Sequence, residues 1–449
     1  MTTKEINLIA AITALTLLIY VTLITLIGTI SALRVGAVET ESYLLATSGI
    51  LILALYIQAR TLVFCWFSYL FNKNNVNSLR RNPPRPYEDF ISVIVPAYNE
   101  SGNIIPTLQS IIDSDHLNLE IIVVNDGSSD TTSIEVDEFI HQNPNKKVTL
   151  INKCNAGKWD AINHGVAAAC YQFILLIDAD SRLLKSSITN GIHSLKQHNV
   201  DVICGNISVF NTNTLCTTLQ SLEYALTNCL RRRAQSYFSS VLIVPGPYGL
   251  YKRKVLNAIS DSINHQQRSR YYGPLSSDTY AEDCDLTVHA LCLGFKTYYE
   301  SAAKVLTKAP ENLFSLANQR YRWNRGHMQV SKKYLRASKR ASIAIPFHSL
   351  VWIINTLVID SLIMPFLFLL SSVAGIYLFL NGSVGQFLPQ MILIMLGIEI
   401  NLVIYCIRCE HEPPSHIPSA VFLPLYRIIL IFSWVTAAFD EAKSRKMSW

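Results

Sequence analysis

The chain has 449 residues, half of them hydrophobic and only 16% charged, against roughly 25% charged in an ordinary soluble domain. That mix excludes a disordered chain and argues against a purely soluble one. A net charge of +6, from 38 basic and 32 acidic residues, is too mild for a global nucleic-acid footprint. Ten cysteines are far below the density of a disulfide scaffold, and the isolated Cys406-x-x-Cys409 pair has no second pair to complete a zinc site.

Two apolar runs open the chain, at about 6–33 and 43–71. Each exceeds the roughly 20 residues needed to cross a bilayer. Lys73, Arg80, Arg81 and Arg85 follow, with no acid before Glu88. Basic flanks stay cytoplasmic, so the chain is expected inside from residue 72 onward. Residues 1–72 therefore read as two transmembrane helices.

The middle, 86–310, has soluble character. Short β-rich runs at 90–95, 120–124, 148–151, 173–177 and 202–205 each lead into a polar turn and a helical stretch. That alternation predicts a mainly parallel sheet with helices on both faces. Residues 311–345 interleave basic and apolar side chains at helical spacing, which predicts amphipathic helices on the cytoplasmic membrane surface. The tail, 346–449, is apolar again at about 347–380, 391–407 and 420–439, and reads as further transmembrane helices. Asp360 and Glu399 fall inside these runs, where acids face a bundle interior or a water-filled cavity.

Ligands of such sheets bind at the carboxyl ends of the strands. There stand Pro96-Ala97-Tyr98-Asn99-Glu100, Asn125-Asp126-Gly127-Ser128-Ser129-Asp130 and Asn155-Ala156-Gly157-Lys158. The run Ile174–Ile177 leads into Asp178-Ala179-Asp180. Two carboxylates at i and i+2 are hard-oxygen ligands for Mg²⁺ or Mn²⁺, with open positions that a nucleotide diphosphate can complete. Lys158 can reach a phosphate as a point charge. Taken singly, each has an ordinary reading: a loop aspartate, a solvated lysine, a packing tyrosine. Glu282-Asp283-Cys284-Asp285 opens a helix, as caps do, and Asp283 is also placed to act as a general base, with Asp285 expected to cap. Gln319-Arg320-Tyr321-Arg322-Trp323 offers an arginine clamp for a departing diphosphate and an indole face for a sugar ring.

The ordered set of these six motifs, flanked by apolar runs, resembles the processive family-2 membrane glycosyltransferases: cellulose, chitin, hyaluronan and poly-N-acetylglucosamine synthases. The resemblance covers about residues 88–335. It implies a GT-A, Rossmann-like α/β cytosolic domain embedded between transmembrane α-helices. Carried over by position, it implies that Tyr98, Glu100, Asp126, Lys158, Asp178, Gln319 and Arg322 bind the UDP-sugar. It implies Asp180 with Asp178 at the metal, Asp283 as base beside Glu282, and Trp323 with Gly246, Pro247 and Tyr248 at the acceptor. Ala281 stands where the family usually has Thr, and Asn125 where it usually has Asp.

The expected function is a processive inverting β-glycosyltransferase that polymerises a sugar from a UDP-sugar, UDP-N-acetylglucosamine first, and extrudes the polysaccharide. The alternative is transfer of one sugar to a lipid phosphate. The expected setting is a multi-pass protein of the plasma (inner) membrane with its catalytic domain in the cytoplasm. Its partners would be the donor, the growing polymer, the bilayer and, if one is needed, a small membrane subunit, with no nucleic acid.

Overall fold

A computed structural model describes residues 40–81, 88–267, 273–337, 345–380 and 388–445. The apolar run at 6–33 and the break at Asn381-Gly382-Ser383 lie outside the described residues. The run at 43–71 lies within the long helix α1 (Thr40–Arg81).

An eight-stranded sheet follows, in the order β3-β2-β1-β4-β7-β6-β8-β5. Strands β1 (Ile91–Ala97), β2 (Leu119–Asp126), β3 (Val148–Lys153) and β4 (Phe173–Leu176) are parallel. β1 and β2 are almost wholly buried, which explains their near-continuous runs of Val and Ile. The helices α2 (Ile104–Ile112), α3 (Thr132–Gln142) and α4 (Lys158–Ala168) follow β1, β2 and β3. Helix α2 buries Ile104, Leu108 and Ile111, spaced on one helical face.

All five expected strands are present, but the sheet is mixed. β7 (Gly249–Lys252) runs antiparallel between β4 and β6 (Val202–Val209). β8 (Thr297–Thr307) pairs parallel with β6, and the short β5 (Ser181–Leu183) closes the edge antiparallel to β8. Helix α5 (Ser187–Gln197) packs on β6 and β8. The pairing of β6 with β8 shifts register between Gly205 and Asn206.

Helix α6 (Leu215–Leu226) passes through a π-helical turn, Thr227–Arg232, into α7 (Arg233–Tyr237). After α8 (Arg253–Gln267) and α9 (Glu282–Cys292) comes the long α10 (Leu313–Ala337). Then come α11 (Phe347–Ile353), a second π-helical segment (Ile354–Ile363), α12 (Met364–Leu380), α13 (Leu388–Glu410) and α14 (Leu423–Ala442). Among the described residues, Phe347–Val373 and Pro414–Ala442 are long and apolar enough to cross a membrane.

Helix α10 forms as expected, but two of its basic residues do not lie on an exposed face. Arg320 and Arg325 are buried, and they pair with Glu223 and Glu441 at 2.7 and 3.2 Å. Burying a guanidinium needs a partner that restores its lost hydration. Both partners are far away in sequence, so amphipathic spacing alone conceals the pairing.

The sheet is tied to the C-terminal helices by a buried polar cluster. Arg233 pairs with Glu410 at 2.8 Å and donates to the Cys409 carbonyl at 3.0 Å. Glu410 also accepts from Asn206 (3.1 Å) and from the Tyr299 hydroxyl (2.8 Å).

Candidate active site

The motif residues of the strand exits and of the start of α9 meet at the carboxyl ends of the parallel strands, where Lys158, Asp178, Glu282 and Asp283 line one pocket. The loop after β1 is bound to the loop after β2. Asn99 adopts φ 54°, a left-handed conformation that Asn tolerates, and its Oδ1 accepts from the Ser129 amide at 2.8 Å. The Asp130 carboxylate accepts from the Ser101 and Thr132 amides, both at 3.0 Å. Tyr98 stays 49% exposed, which leaves a ring face free for a planar ligand. Burial pushes the Glu100 carboxyl up, against a hydrogen bond from Asn103.

Asp126 is buried at the end of β2. It accepts from the Ala156 and Gly157 amides at 3.0 and 2.8 Å and is paired with Lys153. Gly127 is needed for a close approach: at φ 72°, a Cβ there would stand 2.7 Å from the Asn155 nitrogen. Asp126 thus holds the Asn155–Lys158 turn in place.

That turn launches α4, and Lys158 is its first residue. The Lys158 Nζ lies 2.6 Å from Asp178 Oδ1 and 3.5 Å from Glu282 Oε1. Although 40% of the Lys158 side chain is exposed, Asp178 and Glu282 hold the ammonium above its usual range. Gly246 passes directly over this pair. A Cβ there would stand 2.6 Å from both Asp178 oxygens and 2.8 Å from the Lys158 Nζ.

Asp180 lies two residues on. Burial, then the neighbouring Asp178 and Glu100 charges, push its carboxyl up to about 6. Among the described residues, no group of three or more His, Cys, Asp or Glu forms a metal cage. Asp178 and Asp180 nevertheless fit a divalent ion: both are hard donors, and a cation would relieve the repulsion that raises Asp180.

Glu282 and Asp283 stand in the first turn of α9. Burial and the adjacent Glu282 charge push the Asp283 carboxyl up to about 6. A narrow crevice is lined by Lys158, Asp178, Gly246, Glu282 and Asp283, with Pro96 and Tyr251 among its walls. It therefore joins an ammonium, three carboxylates and an apolar rim in one space.

Helix α10 docks on the start of α9. Gly326 lies so close to Ala281 that a Cβ on the glycine would meet the Ala281 Cβ at 2.6 Å. The Tyr280 amide donates to Gln329 at 3.1 Å. Ala281, the departure from Thr noted in the sequence, is thus one half of a small-residue contact. Within the motif on α10, Arg322 and Trp323 are half-buried, and the Gln319 Oε1 is buried with no partner among the described residues.

Two expectations are corrected. Tyr248 is fully buried and donates to the Ser187 carbonyl at 3.0 Å, packed beneath Gly205 and Gly191, so its ring cannot line an acceptor site. Its neighbour Pro247 is half-buried. Asp285 is not a cap: its carboxylate pairs with Lys333 of α10 at 2.7 Å. The sequence reading also missed Asp126 as a turn-holder and Gly246 as a spacer. The shared pattern of acids and glycines at strand exits was the only signal for either.

Residues 92–260 match the family model described as Glycosyl transferase family 2. The chain is 28% identical to a poly-beta-1,6-N-acetyl-D-glucosamine synthase of Staphylococcus epidermidis over 242 residues, 54% of this chain and 55% of that protein. It thus spans about half the length of that relative. It is 26% identical to a hyaluronan synthase of Streptococcus pyogenes over 357 residues, 78% of this chain and 79% of that one. In fold it is similar to a mannosyltransferase of Pyrobaculum calidifontis solved with GDP-Man and Mn2+, with a TM-score of 0.56 and 18% identity over 86% of this chain and 98% of that one. The mixed sheet, the acidic strand exits and these likenesses agree: residues 92–260 form a domain that matches glycosyl transferase family 2, on a GT-A fold.

Proposed function

We propose that the protein is a processive inverting β-glycosyltransferase that draws on a UDP-sugar, with UDP-N-acetylglucosamine as first choice. The observation that carries the reading is the single pocket shared by Lys158, Asp178, Glu282 and Asp283. A cation faces the acids there, as a diphosphate leaving group needs, and a carboxylate with a raised pKa stands beside it, as a general base needs.

In this reading Tyr98 lies against the base, while Glu100 and Asp126 hold the nucleoside and its loop. Lys158 and Arg322 neutralise the diphosphate. Asp178 and Asp180 would hold Mg²⁺ or Mn²⁺, which supplies further charge neutralisation at the diphosphate. Asp283 takes the proton from the acceptor hydroxyl as that oxygen attacks the anomeric carbon. The diphosphate departs from the opposite face, so the configuration inverts in one displacement. Gln319 and Trp323 line the acceptor side, with Gly246 and Pro247 beneath. The apolar helices seat the protein in a membrane with the sheet on the cytoplasmic side, and the polymer leaves between them. Support comes from the likeness to polysaccharide synthases and from the apolar stretches Phe347–Val373 and Pro414–Ala442, less than a third of which is buried.

The test is incubation of the purified full chain with single radiolabelled UDP-sugars and Mg²⁺ or Mn²⁺, followed by linkage-specific hydrolases. A polymer from one donor is expected. Transfer of one sugar to lipid phosphate, with no polymer from any donor, would overturn the processive reading. Extrusion is tested in inverted proteoliposomes, where polymer should be protected from added hydrolase; complete digestion would mean synthesis without secretion by this chain alone.

A further inference from the structure

Arg320 occupies a variable position of the Gln-x-x-Arg-Trp motif, and the chemistry above does not use it. It is nonetheless the most tightly held residue of that segment. Its Nη2 donates to Glu223 Oε2 at 2.7 Å and to the Tyr426 hydroxyl at 3.2 Å. The Tyr426 hydroxyl in turn donates to the same Glu223 oxygen at 2.6 Å. The Arg320 guanidinium lies over the Trp323 ring, 4.2 Å from its centroid. Arg320 is 6% exposed, so this contact is largely desolvated and near the strong end of the cation–π range.

The three partners come from three elements. Glu223 is on α6, which borders the sheet; Arg320 and Trp323 are on α10; Tyr426 is on α14, within the apolar stretch Pro414–Ala442. Further along, α14 grips α10 again, through Glu441 to Arg325 and Asp440 to the Tyr321 hydroxyl.

The geometry points to Arg320, Glu223 and Tyr426 as positioning residues that set the orientation of Trp323, so that the last apolar helix fixes the platform on which the acceptor sugar rests. This rests on the sugar-transfer reading only for the meaning of the platform; the linkage itself is a property of the side chains. Arg is required rather than Lys. A planar guanidinium can stack on the indole while keeping an edge free for the carboxylate and the phenol, and a compact ammonium cannot do both. The Tyr426 hydroxyl stops Glu223 from drawing the guanidinium off the ring, because it accepts from Arg320 and donates to Glu223.

The test uses the full chain labelled with 5-fluorotryptophan, with the Trp323 resonance assigned among the six tryptophans by Trp323→Phe. Tyr426→Phe, Glu223→Gln and Arg320→Lys should each shift or broaden that resonance and leave the other five in place. With UDP-N-acetylglucosamine and a short β-linked N-acetylglucosamine oligomer, the same variants should raise the acceptor KM about 5- to 30-fold, the range of one lost cation–π contact. Hydrolysis of donor without acceptor should keep its wild-type kcat. An unmoved Trp323 resonance in Tyr426→Phe and Arg320→Lys would overturn the proposal. So would an equal fall in donor hydrolysis and acceptor elongation, which marks general loss of structure. A resonance that moves in the variants, together with a wild-type chain that transfers no sugar from any donor, would sink the sugar-transfer reading and leave the linkage standing.

Discussion

The Lys158 Nζ stands 2.6 Å from the Asp178 Oδ1, one at the start of helix α4 and the other just past strand β4. The pair joins the Gly-Lys turn to the Asp-x-Asp motif before any donor is present. An incoming diphosphate would compete with Asp178 for the ammonium, and Asp178 would then be free, with Asp180, to hold a divalent ion.

Lys158→Gln is therefore expected to weaken UDP binding and lower kcat/KM by about 10- to 100-fold, the cost of one charge-assisted hydrogen bond. Calorimetric titration with UDP and steady-state kinetics check it. Unchanged UDP affinity would make the pair a local surface contact.

Asp283 has its carboxyl pushed up to about 6, chiefly by burial. A base must be ionised, so kcat/KM should rise with pH through about 6 and then level off. Asp283→Asn should cost about 10²- to 10⁴-fold in rate with UDP affinity retained. The sign for stability is opposite. The unfolded carboxyl titrates near roughly 3.9, so folding favours the protonated form, and the stability it contributes is lost as pH rises from there through about 6. The Asn variant should therefore melt above wild type at pH 8, with the difference closing toward pH 4. Near wild-type turnover in Asp283→Asn, with loss in Glu282→Gln, would transfer the role to Glu282.

Gly246→Ala is expected to abolish most turnover while leaving the fold intact. The added methyl would sit 2.6 Å from the Asp178 oxygens and must displace them or the Lys158 ammonium. The far-ultraviolet circular dichroism should match wild type. Full activity in this variant would show that the pocket floor yields.

Tyr248→Phe separates core from site. The hydroxyl reaches the Ser187 carbonyl, away from the pocket. Its removal should lower stability by about 0.5–1.5 kcal/mol, the net worth of one intramolecular hydrogen bond. The acceptor KM should not change. A raised acceptor KM with unchanged melting would restore Tyr248 to the acceptor site.

The placement of the strand-exit motifs was legible from residue order, because parallel strands put every polar exit on one edge. Tyr98, Asp126 and Asp178 stand at or just past the ends of buried apolar strands, Lys158 follows the half-exposed β3, and strand direction does the rest. The antiparallel half was not legible. Gly249–Lys252 is a short strand behind a Gly-Pro turn, and β8 is interrupted by the polar pair Glu300-Ser301 beside the register shift. The direction of Tyr248 was hidden for a related reason: β7 is central and mostly buried, so its alternation carries no inside–outside signal. Asp285 resembled a cap because its partner, Lys333, lies 48 residues away. Long-range ion pairs leave no trace in local spacing.

The Arg233–Glu410 pair bears on how the molecule could be divided. Glu410 ends the helix that contains the apolar run 391–407, while Asn206 and Tyr299, which share its carboxylate, belong to the sheet. A fragment ending near residue 345 would leave the Arg233 guanidinium, 5% exposed, without its counter-charge. Removing one partner of a buried ion pair costs about 3–5 kcal/mol, a large share of the roughly 5–15 kcal/mol that holds a typical domain together. The catalytic sheet is thus no detachable module on a membrane anchor. Its own interior contains the end of an apolar helix, and water-soluble truncations should aggregate unless Arg233 and its acceptors are replaced together.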